Sequence, residues 1–249
     1  MKLTPYRVEC AKLKKMLRVA VLADIHADFD KPILPLLQEA APDLILIPGD
    51  LTERREILSG GTASLRFLAA CRKLAPVVYA SGNHEVGCFH HGNPDRRPSP
   101  LPLPDAYRRS LESLGVLSVE NECREQDGIL FCGLGTGIHG NRNEPDSTVL
   151  DSFRALPSDR PKILLSHHPE YYPLYLRDLG FDLIVCGHAH GGQWRFFGRG
   201  VYAPGQGLFP RYTSGLHGGN CVISRGVSGC TRIPRIFNEP EIPLILFGG

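Results

Sequence analysis

The chain reads as an α/β fold with a largely parallel core, on two observations. Short apolar runs rich in β-branched residues alternate with segments of helical period, the pattern in which crossover helices join parallel strands. Five of those runs also end in clusters of Asp, Asn and His. In open α/β sheets, the C-terminal ends of strands are where sites form.

Taken in order, "PYRVEC" alternates, with Tyr6, Val8 and Cys10 on one face, and reads as a strand. "LRVAVLAD" is a β-branched run ending at a carboxylate, "KPILPLLQEAAP" a short helix, and "DLILIPGD" a buried strand ending in Gly-Asp. Residues 56–74 carry a mostly helical pattern after a break at Gly60-Gly61, and "PVVYASGNHE" is a third strand with a polar end. Residues 86–104 have no periodicity and are dominated by Pro, Gly, Arg and His, so a long loop is expected there, either an entry lid over a site or a disordered surface loop. A helix follows in "DAYRRSLESLG" with Asp105 as its N-cap, then "VLSVEN" and "GILFCGLG". "PKILLSHHPE" and "FDLIVCGHAH" are apolar strands that end in histidine. From Gln193 onward, Gly and short apolar runs without helical period predict antiparallel strands that close a sheet. Neither an internal repeat nor an interdomain linker is visible, so residues 1–249 read as one domain.

Composition excludes several classes. The hydrophobic share of 42% and charged share of 22% are those of an ordinary globular chain, long enough to bury a core without disulfides or a structural metal. A net charge of +2 gives no indication of a nucleic-acid partner. None of the eight cysteines forms a C-x-x-C pair, which argues against a thiolate zinc site or a thioredoxin-like motif. Cys132 and Cys186 lie inside apolar runs, where Cys behaves as a small hydrophobe. All eight are expected to be free thiols in a reducing cytoplasm. The run "MLRVAVLADIH" is interrupted by Asp24 and His26, and no stretch reaches the roughly 18 apolar residues of a membrane span.

The five polar endings are Asp24-Ile25-His26, Gly49-Asp50, Gly82-Asn83-His84-Glu85, Ser166-His167 and Gly187-His188-Ala189-His190. Any one of them is an ordinary turn or a structural histidine; together they predict a single convergent site. Carboxylate, amide and imidazole without thiolate suit divalent Mn, Fe or Zn. One ion would take about three or four such side chains. Seven candidates, Asp24, His26, Asp50, Asn83, His167, His188 and His190, suit two ions roughly 3.5–4 Å apart that share a bridging carboxylate.

In this order D-x-H, G-D, G-N-H-E, a lone His and G-H-x-H resemble the calcineurin-like metallophosphoesterase superfamily, over about Leu17 to Gln193. The tail "CVISRGVSG…PRIFNEPEIPLILF" is similar to that of a bacterial branch of small phosphodiesterases and UDP-diacylglucosamine pyrophosphohydrolases. Members of that branch often carry an N-terminal anchor or export signal, and neither is read here.

The resemblance implies two facing mixed β-sheets flanked by helices, a four-layer αββα sandwich. It places Asp24, His26 and His190 on a first divalent ion, Asn83, His167 and His188 on a second, and Asp50 between them. A metal-bridging hydroxide would attack phosphorus in line, with His84 as the catalytic residue that protonates the leaving oxygen or contacts the phosphate. The implied substrate is a phosphodiester or pyrophosphate, either a small phosphate ester or a nucleotide-linked lipid, and a lipid would bring peripheral membrane contact.

Neighbouring residues extend the expectation. Arg54 in "GDLTERR" partly matches the phosphate-contacting arginine of protein Ser/Thr phosphatases, although Arg55 stands where that pattern has Gly. His139 and His217, in Gly-rich stretches, are candidates to line the substrate site. Glu85 either holds His84 or is solvated, and His168 is expected beside the ligands or at the surface. Two other readings stand beside the diesterase: a phosphomonoesterase or protein phosphatase, and a non-catalytic scaffold on the same fold. The scaffold would have lost ligands and above all His84, yet every position is filled.

Overall fold

A computed structural model describes residues 1–88, 99–137, 144–229 and 234–249. The two predicted sheets are both present, and each has six strands. The first contains β1 (Lys2–Val8), β2 (Leu17–Val21), β3 (Leu44–Pro48), β4 (Val77–Ala80), β5 (Leu117–Ser118) and β16 (Glu241–Phe247), in the order β1-β16-β2-β3-β4-β5. From β2 through β5 its strands are parallel. The second contains β6 (Cys123–Gln126), β7 (Ile129–Leu134), β8 (Lys162–Ser166), β9 (Leu183–Cys186), β14 (Gly215–His217) and β15 (Cys221–Ile223), in the order β14-β15-β9-β8-β7-β6.

The central strands read as continuous apolar runs because both of their faces are buried. Alternate residues enter different cores. Val19, Val21, Leu44 and Leu46 of the first sheet meet Ile163, Leu165, Leu183 and Val185 of the second between the sheets. The intervening Ala20, Ile45 and Ile47 point outward onto α1 (Ile33–Ala40) and α3 (Thr62–Arg72), through Ile33, Leu37, Phe67 and Leu68. On the far side, Leu164, Ile184 and Cys186 pack with Leu150 and Phe153 of α5 (Ser147–Arg154) and with Leu176 of a π-helical turn, Tyr172–Leu176. The result is four layers: helix, sheet, sheet, helix. The break at Gly60-Gly61 separates a short α2 (Arg54–Leu58) from α3, with Gly61 at φ 64°.

Several local expectations are corrected. Asp105 is the first residue of α4 (Asp105–Ser113); Pro104 precedes it and no side chain caps the helix. Helix α5 was not anticipated, although its signal is ordinary: the Asp146 carboxylate accepts from the Thr148 N–H at 2.8 Å. The tail forms antiparallel hairpins, β10 (Arg195–Phe196) with β11 (Arg199–Gly200) and β12 (Tyr202–Ala203) with β13 (Gly207–Leu208). Its sheet-closing strands are mixed, however: β15 runs parallel to β9, and β16 lies parallel to β1 but antiparallel to β2.

The expectation of eight free thiols is overturned. Cys123 and Cys132 form a disulfide across β6 and β7, where they stand directly opposite each other. The two-residue turn Asp127-Gly128, with φ 52° and 76°, fixes that register. Positive φ at both positions is what a type I′ hairpin requires. Among the described residues Cys10, Cys71, Cys186 and Cys221 are free and buried, and Cys88 is buried too; Cys230 lies outside them. No helix among the described residues is long and apolar enough to cross a membrane.

Candidate metal centre

All five polar clusters lie just past the C-terminal ends of strands: Asp24 and His26 after β2, Asp50 after β3, Asn83 and His84 after β4, His167 after β8, and His188 and His190 after β9. The backbone there is unusual. Asp24, His26, Asp50, His188 and His190 all have positive φ, between 46° and 65°. Each such residue costs on the order of 1 kcal/mol or more and persists only when its surroundings fix it. The fixing contacts are present. Ile25 and His26 donate backbone N–H groups to the Asp50 carbonyl at 2.8 and 2.9 Å, and Ser228 donates to that of Asp24 at 2.9 Å.

Glu85 is fully buried and does not hold His84. Its carboxylate accepts the N–H groups of Asp50, Thr52 and Gly82 at 3.0, 3.1 and 2.8 Å, tying the end of β3 to the end of β4. Gly82 is required at that junction, since a Cβ there would lie 2.3 Å from Asp50 Oδ1.

Among the described residues four overlapping groups could hold a metal ion, and the predicted ligands make up two of them, Asp24 with His26 and His190, and Asp50 with His167 and His188; the others are His26 with Glu53 and His84, and His168 with Glu170 and His188. His26 Nε2 lies 3.4 Å from His190 Nε2, which is 3.7 Å from Asp24 Oδ1. Asp50 Oδ2 faces both groups, 3.1 Å from His167 Nε2 and 3.7 Å from His26 Nε2. Asn83 anchors its amide by donating from Nδ2 to the Cys88 carbonyl at 3.1 Å.

Asp24 Oδ2, Asn83 Oδ1 and His188 Nε2 are among the buried atoms of this set that have no hydrogen-bond partner. Such orphaned groups are costly in a folded interior. A divalent cation would satisfy all three, and the thiolate-free donor set suits one.

The histidines are held so that Nε2 faces the centre. His167 Nδ1 donates to the Pro48 carbonyl at 2.9 Å, His190 Nδ1 to that of Ser228 at 3.1 Å, and His26 Nδ1 faces Glu53 Oε1 at 3.2 Å. A partner on the far nitrogen is the usual way a ligating imidazole is oriented.

Electrostatics follow the crowding. Burial alone would raise the Asp50 carboxyl, but His167, His84 and His26 around it hold it well below the usual range. His167 is buried too, yet Asp50 and Asp24 lift it to about 9. His188 is pushed well below its ordinary value by burial and by the imidazoles of His168 and His167, so it is neutral with a lone pair to offer.

Two buried-site residues were not anticipated in these roles. Glu53 accepts from His84 Nδ1 at 2.9 Å as well as facing His26, and against its burial these two imidazoles hold it at about 2. Arg235 donates to the carbonyl of Arg225 and to the same Ser228 carbonyl that His190 Nδ1 faces. Glu53 stands three residues after Asp50 and directly before Arg54, and an acid so close to the strand end is itself the signal.

Arg54 is placed elsewhere: its guanidinium donates to the carbonyls of Glu85, Leu101 and Pro102. His217 lies on the edge strand β14, with Nε2 on the Ser214 carbonyl and its ring against Tyr212, and belongs to neither group. His168 is buried and bonded to Thr136, and its ring lies 4.4 Å from that of His188, tilted by 59°. His139 and the middle of the 86–104 loop lie outside the described residues.

YpbG of Bacillus subtilis is 28% identical over 96% of this chain and 83% of its own length. Phosphodiesterase YaeI of Escherichia coli is 27% identical over 92% and 81%. UDP-2,3-diacylglucosamine pyrophosphatase LpxG of Chlamydia muridarum is 25% identical over 91% and 82%. Against a metallophosphoesterase of Helicobacter pylori the chain spans just 46% of the relative's length. The model of the calcineurin-like phosphoesterase family matches residues 17–192, from β2 to the glycines after His190, and so takes in every strand end that builds the centre. The chain belongs to the calcineurin-like phosphoesterase family.

Proposed function

We propose that this chain is a dinuclear hydrolase that cleaves a phosphodiester or pyrophosphate bond. One observation carries the reading: Asp50 Oδ2 stands between His167 of one ligand group and His26 of the other, where a single carboxylate can serve two ions. Asp24, His26 and His190 would hold the first ion; Asn83, His167 and His188 would hold the second. Mn, Fe and Zn all suit these donors. Bound there, such ions make water acidic enough to act as a nucleophile and neutralise charge on phosphate oxygens.

His84 completes the site from the chain's own atoms. Its Nδ1 is held by Glu53 and its Nε2 lies 3.9 Å from Asp50 Oδ2, on the site side. It is therefore oriented to deliver a proton to a leaving oxygen.

Relatives named as a phosphodiesterase and a lipid-linked pyrophosphatase support a diester or pyrophosphate over a monoester. The single arginine that pointed to a monoesterase, Arg54, holds backbone carbonyls instead. Residues 1–249 act as one catalytic unit. A cytoplasmic compartment, expected on unbridged cysteines, loses that support with the Cys123–Cys132 bridge.

The test is metal analysis with a paired ester assay. The reconstituted protein is expected to retain about two ions per chain and to turn over bis-p-nitrophenyl phosphate or a nucleotide-linked lipid pyrophosphate faster than p-nitrophenyl phosphate. A single ion per chain, or a preference for the monoester, overturns the reading.

A further inference from the structure

The segment after His190 is built unlike the rest of the chain. Residues 191–237 contain six of the 28 basic residues, all arginine, and none of the 26 acidic ones, so the remainder of the chain is net acidic. The same segment presents large apolar side chains to solvent. Phe197 is fully exposed, Phe237 80% and Phe209 77%.

These rings are not scattered. Trp194 forms a β-bridge with Ile236, Phe196 and Phe237 lie 6.0 Å apart, and Phe209 donates to the carbonyl of Val201, which in turn donates to that of Trp194. An exposed apolar patch of this kind marks an interaction surface.

Backbone chemistry argues that the rings are not there for the fold. Phe197 and Gly198 form the two-residue turn between β10 and β11, at φ 51° and 78°. That turn prefers Asn, Asp or Gly at its first position. A phenylalanine is costly there and gains no burial within the chain. Phe209 and Phe237 repeat the choice, at φ 50° and 51°. Three aromatic side chains are thus held outward at bends where they pack on little of their own chain.

We propose that this face docks on an anionic lipid bilayer, with the rings of Phe197, Phe209 and Phe237 entering the interface and Arg199 and Arg211 meeting lipid phosphates. Aromatic residues at the headgroup level with basic residues beside them are the pairing that holds proteins at such surfaces, since neither signal alone gives stable attachment. A second copy of the chain fits less well: self-contact would bring arginine to arginine with no carboxylate of the patch between them.

The segment begins directly after the ligand His190 and is tied to it, with Asn238 donating to the carbonyls of His190 and Gln193. The docked face therefore adjoins the metal centre. The proposal concerns the partner surface and does not depend on which ester is cleaved.

The protein has one tryptophan, Trp194, inside the patch, so its emission reports docking directly. The full chain is expected to co-sediment with phosphatidylcholine vesicles containing phosphatidylglycerol, with a blue shift of emission, and to bind pure phosphatidylcholine far more weakly. Phe197→Ser should weaken partition roughly tenfold, and the triple change at Phe197, Phe209 and Phe237 by on the order of a hundredfold or more. Arg199→Glu with Arg211→Glu should remove the preference for the anionic lipid. Hydrolysis of a soluble ester should be unchanged in all of them, which also shows that they are folded.

Absence of vesicle binding overturns the proposal and leaves the hydrolase reading standing. So does binding that survives the triple change. A blue shift without vesicles, accompanied by a dimer in sedimentation velocity, assigns the patch to self-association and overturns it too.

Discussion

His84 Nδ1 lies 2.9 Å from both carboxylate oxygens of Glu53, and Glu53 Oε1 also faces His26 Nδ1 at 3.2 Å. One carboxylate thus orients both the residue proposed to act on the leaving group and a proposed ligand. Glu53→Ala frees both rings and is expected to lower turnover roughly 10- to 100-fold, as loss of an outer-shell partner typically does. Glu53→Gln keeps an acceptor for Nδ1 and should recover most of that loss. A Gln variant as damaged as the Ala variant means that the negative charge, and not orientation, is what Glu53 supplies.

His84→Ala should keep both metals. The His84 backbone N–H that donates to Asp50 Oδ1 at 2.9 Å survives the change, so the bridging carboxylate keeps its support. A general acid contributes roughly 10²–10⁴-fold, to the extent that the leaving group needs a proton. Esters of alkyl alcohols should therefore slow far more than esters of nitrophenol. Equal loss on both types indicates simple phosphate binding; loss of a metal makes His84 a ligand.

Asp50→Asn preserves shape and the Oδ1 acceptor but removes the charge shared by the two ligand groups. Activity should fall by orders of magnitude and metal content should drop. Near-normal stoichiometry and turnover would remove Asp50 from the bridging role.

The centre was legible in the sequence because its chemistry is local. Each proposed ligand follows a strand, so Asp24, Asp50, Asn83, His167 and His188 could be found by where apolar runs stop, without any tertiary contact. What stayed hidden depends on pairings between distant strands or on backbone groups. Glu85 looked like a partner for its neighbour His84 but is turned inward onto the N–H groups of Asp50 and Thr52, over 30 residues away in the chain. Arg54 looked like a phosphate ligand and meets carbonyls of a segment that folds back over it. The direction of β15 and β16 could not be read from their composition, since a buried run looks the same whichever way its neighbours point. The disulfide was readable in principle. Counting outward from Asp127-Gly128 pairs Gln126 with Ile129 and so Cys123 with Cys132, but β6 has too few apolar residues to be noticed as a strand.

Thiol titration checks that pairing. The denatured, unreduced protein is expected to show about six reactive thiols of its eight cysteines, and all eight after reduction. Replacing both Cys123 and Cys132 with Ser should cost about 2–3 kcal/mol of stability, the chain-entropy value for a short closed loop. Metal content and turnover should be unchanged, because the bridge joins the edge strand β6 to β7, and both are remote in sequence from every proposed ligand. Eight thiols without reductant would remove the bridge.

Gly82 separates the demands of the site from those of the fold. Its φ is not in the left-handed region, so an alanine meets no backbone penalty there; the difficulty is that its Cβ would lie 2.3 Å from Asp50 Oδ1 and 2.6 Å from Asp50 N. Asp50 must move, and it is the residue that faces both ligand groups. Overpacking of this size typically costs about 1–3 kcal/mol, while displacement of the carboxylate is expected to lower turnover well beyond tenfold, since small errors of placement are amplified in catalysis. Gly128→Ala is the matched control. It sits at φ 76° with nothing within 4 Å of the new Cβ, so it should lose about 1 kcal/mol of stability through backbone strain and keep full activity. Urea denaturation and metal-saturated turnover of the two variants decide the matter. If Gly82→Ala loses stability and keeps activity as Gly128→Ala does, then Asp50 is not positioned by the close approach of β3 and β4.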